Sequence, residues 1–325
     1  MMRPYFRLMA SMTFMLGLTL PAMGLASFPD ETSDAGDAQP GVSTRGTDKS
    51  NTQIANEMTN PMAAYTSFTY RYEHRTFKGD IEGASEQKTD SHVFGVVIPF
   101  RQVDGQGFVL RLSLPYIDDE SIYWADRGYP QWLIRQQDPR LQGDGYWNDT
   151  HGHTGDMMAD IVYGGVDDNG FILMYGLKNR FPTSSDTSNA RQQWVVGPLI
   201  NVGQHAHWGT YGAMFSHIID VVEKPDKGTP DTSISSIEAY FSYAFGNGWQ
   251  IISNPVIQYD WEADSGNKLT VPLAIGIAKT TRMGRMPLRL AAEFQKNVVT
   301  TDRFDSDMLL TFSITPALSN RFTRN

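Results

Sequence analysis

Apolar and polar residues alternate with a period of two along most of the chain from Tyr65 onward. In the segment from 67 to 73, Phe68, Tyr70 and Tyr72 alternate with polar and charged residues. Successive side chains of a β-strand point to opposite faces, whereas a helix would not separate two such sets. The pattern predicts a strand with an apolar environment on one face and water on the other.

Similar alternation recurs and predicts about twelve strands of roughly 9 to 13 residues, the length that crosses a bilayer when tilted. The connections between them alternate between short and long, and the longest is expected at about 117–155. This rhythm and the even strand number are typical of bacterial outer-membrane barrels. The predicted segments with clear alternation after the first are 108–114, 237–245, 249–261, 269–277, 288–294 and 310–314. Weaker predicted segments, whose faces are mixed, are 92–100, 156–164, 170–178, 191–202 and 207–219.

The fold class predicted from this pattern is all-β, a closed antiparallel transmembrane β-barrel over residues 61–325. In hydrocarbon every backbone polar group must be paired within the protein, so an all-strand membrane protein has to close on itself. One alternative remains at this stage. The same aromatic residues would also fit the core of a soluble periplasmic sandwich.

The N-terminus has the composition of an export signal. Arg3 and Arg7 precede an uncharged run over 8–20, and small residues follow as far as Ala26. We expect residues 1–26 to be a signal peptide that is cleaved, because the apolar run is too short for a spanning helix. Residues 27–60 contain few large apolar side chains, and the sequence predicts a flexible segment there.

Composition narrows the chemistry further. The chain has no cysteine, which excludes thiol catalysis, disulfides and cysteine-based metal sites. Its 27 Lys and Arg against 36 Asp and Glu give a net charge of -9, which argues against nucleic acid as a partner. With the export signal, the barrel pattern predicts the outer membrane of a Gram-negative bacterium. The expected partners are outer-membrane lipids, lipopolysaccharide, a small-molecule solute and, during biogenesis, the barrel assembly machinery.

One stretch of sequence carries a family resemblance. Residues 254–273 read NPVIQYDWEADSGNKLTVPL, and Gly276 and a Gly-x-x-Pro turn at 284–287 follow. This resembles the C-terminal signature of the outer-membrane family usually labelled the meta-pathway phenol-degradation or transporter type. The resemblance covers the C-terminal half well and the earlier part poorly. It implies a barrel that moves small compounds, often hydrophobic or aromatic, and it supplies no catalytic residue.

Charged residues on the polar faces of the predicted strands are the candidates for selectivity, because they would line a wet lumen. Bridging between opposite charges is favoured over acid–base chemistry for them. The aromatic-rich long connection could fold inward and gate the lumen. The inward-facing candidates are Arg71, Glu73, Arg111, Glu238, Asp260, Glu262, Arg289 and Glu293, and the gating candidates are Trp124, Trp132 and Trp147.

The remaining polar clusters favour neither a metal nor an active site. His151 and His153 lie among carboxylates, but a surface loop with incidental histidines is favoured over a metal site. Ser216 and His217 are adjacent and so point to opposite sides of a strand. We therefore predict no cofactor, no metal and no enzymatic activity. The leading function is a passive channel for small molecules. The alternatives are a structural or surface-interaction barrel without transport, and a lipid- or lipopolysaccharide-modifying enzyme.

Overall fold

The computed structural model describes residues 49–60, 65–101, 106–124, 145–186, 192–223, 231–302 and 304–319. The helices are α1 (Asn51–Thr59) and a short 3-10 helix at Ala84–Glu86. The strands are β1 (Tyr65–Lys78), β2 (Lys88–Arg101), β3 (Gln106–Trp124), β4 (Tyr146–Thr154), β5 (Met157–Val166), β6 (Phe171–Phe181), β7 (Gln193–Ala206), β8 (Gly209–Glu223), β9 (Ser233–Gly246), β10 (Trp249–Ser253), β11 (Val256–Asp260), β12 (Leu269–Met283), β13 (Met286–Val299) and β14 (Asp305–Ser319).

The strands form one antiparallel sheet that closes on itself where β14 pairs with β1. β4 and β5 share one place in the wall, because both pair with β3. β10 and β11 share another, between β9 and β12. The fourteen segments therefore occupy twelve places in a closed wall, which confirms the predicted barrel. The alternative of a soluble sandwich is wrong.

Large apolar side chains cover the outside of the wall. On β12, Leu273 and Ile275 are 62% and 65% exposed. On β9, Phe241 and Tyr243 are exposed while Ser242 between them is buried. A water-soluble protein would bury such residues, whereas a barrel in hydrocarbon needs them on its surface. Among the described residues, no helix is long and apolar enough to span a membrane.

The two ends of the barrel differ in their connections. We call the end with tight connections at 167–170, 207–208, 247–248 and 284–285 the turn rim. We call the opposite end, which includes the longer connections at 79–87 and 261–268, the loop rim. This asymmetry is the one that the sequence predicts.

One predicted turn is misplaced. The predicted strands 191–202 and 207–219 place the turn within 203–206, but β7 continues to Ala206 and the turn follows at 207–208. Gly203 is not part of the turn. It allows the Tyr240 side chain to pass close to the backbone, because a Cβ at position 203 would lie 2.3 Å from the Tyr240 hydroxyl.

The described parts of the long connection expected at 117–155 are mostly strand. β3 continues to Trp124, and β4 pairs with this outer part of it. The extension has its own small core, in which Tyr123 packs with Phe77 and Phe304 at the loop rim. This packing explains why the chain stays extended beyond the barrel wall. Residues 125–144 lie outside the described residues.

The prediction of a flexible segment over 27–60 is wrong for the last residues of that range, because they form α1. Ser50 and Gln53 make a capping box at its start, and Ile54 and Ala55 are 3% and 0% exposed. The order comes from contacts with the barrel, because so short and polar a helix is not stable alone. Residues 1–48 lie outside the described residues, so the signal peptide and the rest of the segment stay predictions.

The wall is incompletely paired where β10 gives way to β11. On the β9 side the ladder keeps its register, and Ala239 donates a backbone hydrogen bond to Pro255. On the β12 side, no ladder pair joins 253–257 to 271–275, and the Ser253 hydroxyl instead donates to the Ala274 carbonyl at 2.8 Å. Pro272 lies in this stretch of β12 and carries no N–H to donate, whereas Pro255 faces β9 through its carbonyl. This is the least bonded part of the described wall.

Candidate functional site in the barrel lumen

A cavity of about 960 Å³, which we call the upper cavity, occupies the loop-rim side of the lumen. Its lining contains polar and apolar residues, and the described charges are balanced at six cations and six anions. The cations are Arg71, Arg75, Arg111, Lys178, Lys268 and Arg289, and the anions are Glu73, Asp160, Glu238, Asp260, Glu293 and Asp305.

Seven of the eight inward-facing candidates lie in this lining. The exception is Glu262, which is exposed in the connection after β11 and does not line the cavity. The seven do not form one cluster. Six of them belong to three separate groups on different parts of the wall, and the seventh, Asp260 at the end of β11, instead accepts the backbone N–H of Glu262 at 3.0 Å.

The first group lies along β1. Arg71 Nε is 2.6 Å from Glu73 Oε1, and Arg75 Nη2 is 3.7 Å from Glu73 Oε2. These residues are spaced by two, so their side chains share one face of the strand. Glu73 thus lies between two guanidinium groups on the wall of the upper cavity.

The second group, the cross-lumen network, consists of Arg111, Asp160, Lys178 and Glu238. Arg111 donates to its cross-strand partner Asp160, with its Nε 3.1 Å from Oδ2. Arg111 Nη2 also lies 3.6 Å from Glu238, which accepts a hydrogen bond from Lys178. Glu238 is on β9, which is a wall neighbour of neither β3 nor β6. The network therefore reaches across the lumen and narrows it.

The third group is on β13 and contains one unpaired charge. Glu293 accepts hydrogen bonds from Asn254 at 2.6 Å and from Gln295 at 2.7 Å. Arg289 lies four residues earlier on the same strand. Among the described residues it has no ion pair and no hydrogen-bond partner, and its Nε is buried.

A second cavity of about 300 Å³, the lower cavity, lies between the cross-lumen network and the C-terminal end of α1. Among the described residues that line it, Arg111 and Arg289 alone carry a charge. Both residues also line the upper cavity, so the two cavities meet at this level. We call the level of Arg111 and Arg289 the neck.

The lower cavity also has an apolar side, which is unusual for the inside of a membrane barrel. Val109, Val162, Met174 and Met214 belong to one buried cluster on neighbouring strands and all line the cavity. Their inward orientation explains why the predicted strands at 156–164, 170–178 and 207–219 lack a regular alternation. A regular alternation of polar and apolar residues would require every inward-facing residue of these strands to be polar.

Helix α1 holds the turn-rim side of the lumen through polar contacts to the wall. Thr59 and Thr210 share a hydrogen bond of 2.9 Å between their hydroxyls, and Gly248 donates its N–H to Thr52 at 3.1 Å. Asn56 donates to the carbonyl of His207. Since these partners belong to two different hairpins, α1 spans part of the opening and does not follow one strand.

A further ion pair joins Lys49, just before α1, to Glu57 within the helix. Lys49 Nζ lies 2.7 Å from Glu57, and this hydrogen bond raises the pKa of Lys49. Tyr65, the first residue of β1, donates to the same carboxylate at 3.4 Å. Both contacts are partly exposed, so they orient the helix more than they stabilise it.

The gating tryptophans are placed differently from the lumen charges. Trp147 packs against Phe304 with 5.0 Å between ring centroids, and its Nε1 donates to Glu82 at 2.8 Å. It lines neither cavity and belongs to the small core at the loop rim. Trp124 ends β3 opposite Tyr146, and its side chain, like the whole of Trp132, lies outside the described residues.

The other polar clusters do not assemble a reactive site. Ser216 shares a 2.7 Å hydrogen bond with Ser236 inside the wall, whereas His217 contacts Ser235 at 3.0 Å on the exposed side. His151 lies 3.2 Å from Asp119. In the part of the chain that the structure describes, no three His, Asp or Glu side chains are grouped to hold a metal ion.

Sequence reasoning missed Asp160, Lys178 and the contribution of α1. Asp160 and Lys178 are the partners of predicted residues, and identifying them requires the strand register. For α1, the Ser50 and Gln53 spacing was a usable signal, since a Ser followed by Gln three residues later is typical of a helix start.

No model of a known protein family matches the chain, and no curated protein matches it in sequence. Solved structures match its fold. The COG4313 outer membrane channel from Pseudomonas putida F1 has a TM-score of 0.58 at 10% identity, covering 78% of this chain and 95% of its own. The toluene transporter TodX from Pseudomonas putida has a TM-score of 0.40 at 10% identity, covering 81% and 93%. The first likeness shows a shared barrel fold.

Proposed function

We propose that this barrel is a passive channel in the outer membrane of a Gram-negative bacterium, through which small molecules diffuse down their gradient. The observation that carries the proposal is the pair of cavities that meet at the neck. Together they extend from the loop-rim side of the lumen to the C-terminal end of α1. A barrel that served only as a structural wall would gain nothing from leaving this volume unfilled.

The lining favours small polar or amphipathic solutes. The upper cavity has balanced charges that can remain hydrated, and its ion pairs leave few strong sites that would trap a solute. A solute that enters from the loop rim must then pass the cross-lumen network and α1. We infer that these two elements set the size limit of the channel.

Outer-membrane lipids, lipopolysaccharide and the barrel assembly machinery are the partners that this proposal implies. The exposed apolar surface would face the lipids, and the loop rim would face the lipopolysaccharide. The resemblance to the meta-pathway phenol-degradation family fits this location. It rests on residues 254–273 and favours aromatic compounds among the solutes.

A second candidate function is a sealed barrel that contributes surface structure and conducts nothing. The observation that favours it is α1, whose Ile54 and Ala55 are buried among the strands at the turn rim. In this reading the helix is a permanent plug.

Solute flux separates the two candidates. The purified barrel is reconstituted into liposomes, and swelling is followed with solutes of increasing size, with heat-unfolded protein in matched liposomes as control. We expect swelling with the smallest amino acids and sugars and a steep decline with size. Absence of swelling and of conductance in planar bilayers with every solute would refute the channel and favour the plug.

A further inference from the structure

We propose that the lower cavity binds a small amphipathic anion, a monocarboxylate with an apolar or aromatic tail. The carboxylate would pair with Arg289 at the neck, and the tail would lie among the apolar residues below. The role of such a site in transport rests on the proposed function. Binding itself does not depend on it.

Arg289 supplies the anion site. Of the two guanidinium groups at the neck, Arg111 is already paired with Asp160 and Glu238. Arg289 has no ion pair or hydrogen-bond partner among the described residues. A partly desolvated cation without a partner is costly, so an anion bound there would recover free energy. A guanidinium suits a carboxylate best, because it can donate two parallel hydrogen bonds.

Glu293 is the carboxylate whose charge acts on Arg289, but the two residues form no direct ion pair. Glu293 is the nearest acid along β13, and its two oxygens accept from Asn254 and Gln295. It lines the upper cavity but not the lower one. Within the described lining of the lower cavity there is no acid at all, so an anion meets no repulsion from that wall.

The residues that line the lower cavity below the neck determine which tail the bound anion can carry. Met58 of α1, Met174, Met214 and three valines form the apolar part of the lining, and polar residues such as Asn201 and Thr315 form the rest. Methionine is flexible and polarizable, and it adapts to ligands of different shape, aromatic rings included. The volume of about 300 Å³ holds one small molecule and excludes a long acyl chain. Inorganic anions would satisfy Arg289 but leave this apolar surface uncovered.

The probe is benzoate, compared with its neutral analogue benzyl alcohol and with inorganic phosphate. Each is titrated by calorimetry into the folded full-length barrel in a nonionic detergent, with detergent alone as blank. We expect benzoate to bind about tenfold more tightly than benzyl alcohol, since a charge-assisted pair contributes of that order. Phosphate should bind more weakly than benzoate.

The decisive variant is Arg289→Gln, for which we expect benzoate affinity to fall about tenfold and benzyl alcohol affinity to stay unchanged. The matched control is Arg75→Gln, which removes an arginine that lines the upper cavity only. A second variant, Met174→Ser, should weaken benzoate and leave phosphate unchanged. Heat-modifiable migration on a gel verifies that each variant is folded.

Equal affinity for benzoate and benzyl alcohol, or unchanged benzoate affinity in folded Arg289→Gln, would overturn the proposal. Equal affinity for phosphate and benzoate would reduce the site to a simple anion site and also overturn it. Benzoate binding without solute flux would leave the site standing and refute the channel. Flux without benzoate binding would do the reverse.

Discussion

The Tyr240 hydroxyl of β9 donates a hydrogen bond of 3.0 Å to Asn201 Oδ1 of β7, two strands away. To reach it, the side chain passes over Gly212 of β8 and Gly203 of β7, which are cross-strand partners. A Cβ at either position would lie within 2.4 Å of the hydroxyl oxygen. The two glycines thus make room for a tyrosine that ties three strands together beside the lower cavity.

We predict that Gly212→Ala lowers the free energy of unfolding by about 1 to 3 kcal/mol, the usual cost of overpacking. The added carbon would also meet the Val202 carbonyl oxygen at 2.4 Å, and backbone cannot easily move away. Urea unfolding in lipid vesicles, followed by tryptophan fluorescence, measures the change. Gly95→Ala is the control, because the nearest atom there is at an ordinary 3.6 Å. Equal losses in both variants would contradict the close approach.

The outward orientation of Ile275 predicts a defect in membrane assembly for Ile275→Arg. The residue is 65% exposed on the apolar surface, and an arginine near the bilayer midplane costs about 2 to 4 kcal/mol. The yield of heat-modifiable barrel in the outer-membrane fraction measures it. Thr311→Arg is the control, since Thr311 lines the upper cavity and pairs with Glu293 on β13. Similar yields from the two variants would show that the assigned faces are wrong.

The cross-lumen network predicts that Glu238→Gln shifts the ion preference of the channel toward anions. Glu238 is the acceptor that Arg111 and Lys178 share, so its loss leaves an excess of positive charge at the neck. The wall keeps all its backbone hydrogen bonds, and we expect the variant to fold. The reversal potential across a planar bilayer with a salt gradient measures the shift. Glu262→Gln removes the same charge outside the cavity and should leave the potential where it is.

If α1 restricts the lumen, Ile54→Asp should raise single-channel conductance. Ile54 is 3% exposed, and a carboxylate there cannot stay buried without a partner, so the helix would leave its place. We expect larger current steps and a higher size limit in liposome swelling. Asn51→Gln, a change at a partly exposed position of the same helix, is the control. Unchanged conductance in folded Ile54→Asp would mean that α1 does not obstruct the path.

The barrel itself was predictable because the residues of a strand alternate between the lipid-facing and the lumen-facing side. The exposed Phe241 and Tyr243 beside the buried Ser242 illustrate this alternation. What lies inside was less predictable. The partner of Arg111 depends on strand register, and no sequence pattern fixes that Asp160 lies opposite. The lower cavity was hidden for a different reason. Inward methionines such as Met174 remove the alternation by which an inward face is recognised.

Helix α1 marks the other limit of prediction. Its nine residues are mostly polar, and three apolar residues are too few to form the repeat that identifies a longer amphipathic helix. It is ordered because the barrel wall offers partners such as His207 and Gly248 to its side chains. These partners are about 150 to 200 residues away in sequence, so local analysis does not reach them.

A cylinder with no free edge is as durable as its weakest pair of neighbouring strands, and here that pair is the stretch between β11 and β12 in which Pro272 has no N–H to donate. Thermal breathing of the wall should begin at this seam. Its amide protons would exchange with deuterium well before those of the fully laddered β2 and β3. We expect the strands at this seam to separate first when the barrel is denatured and to pair last when it inserts into the membrane.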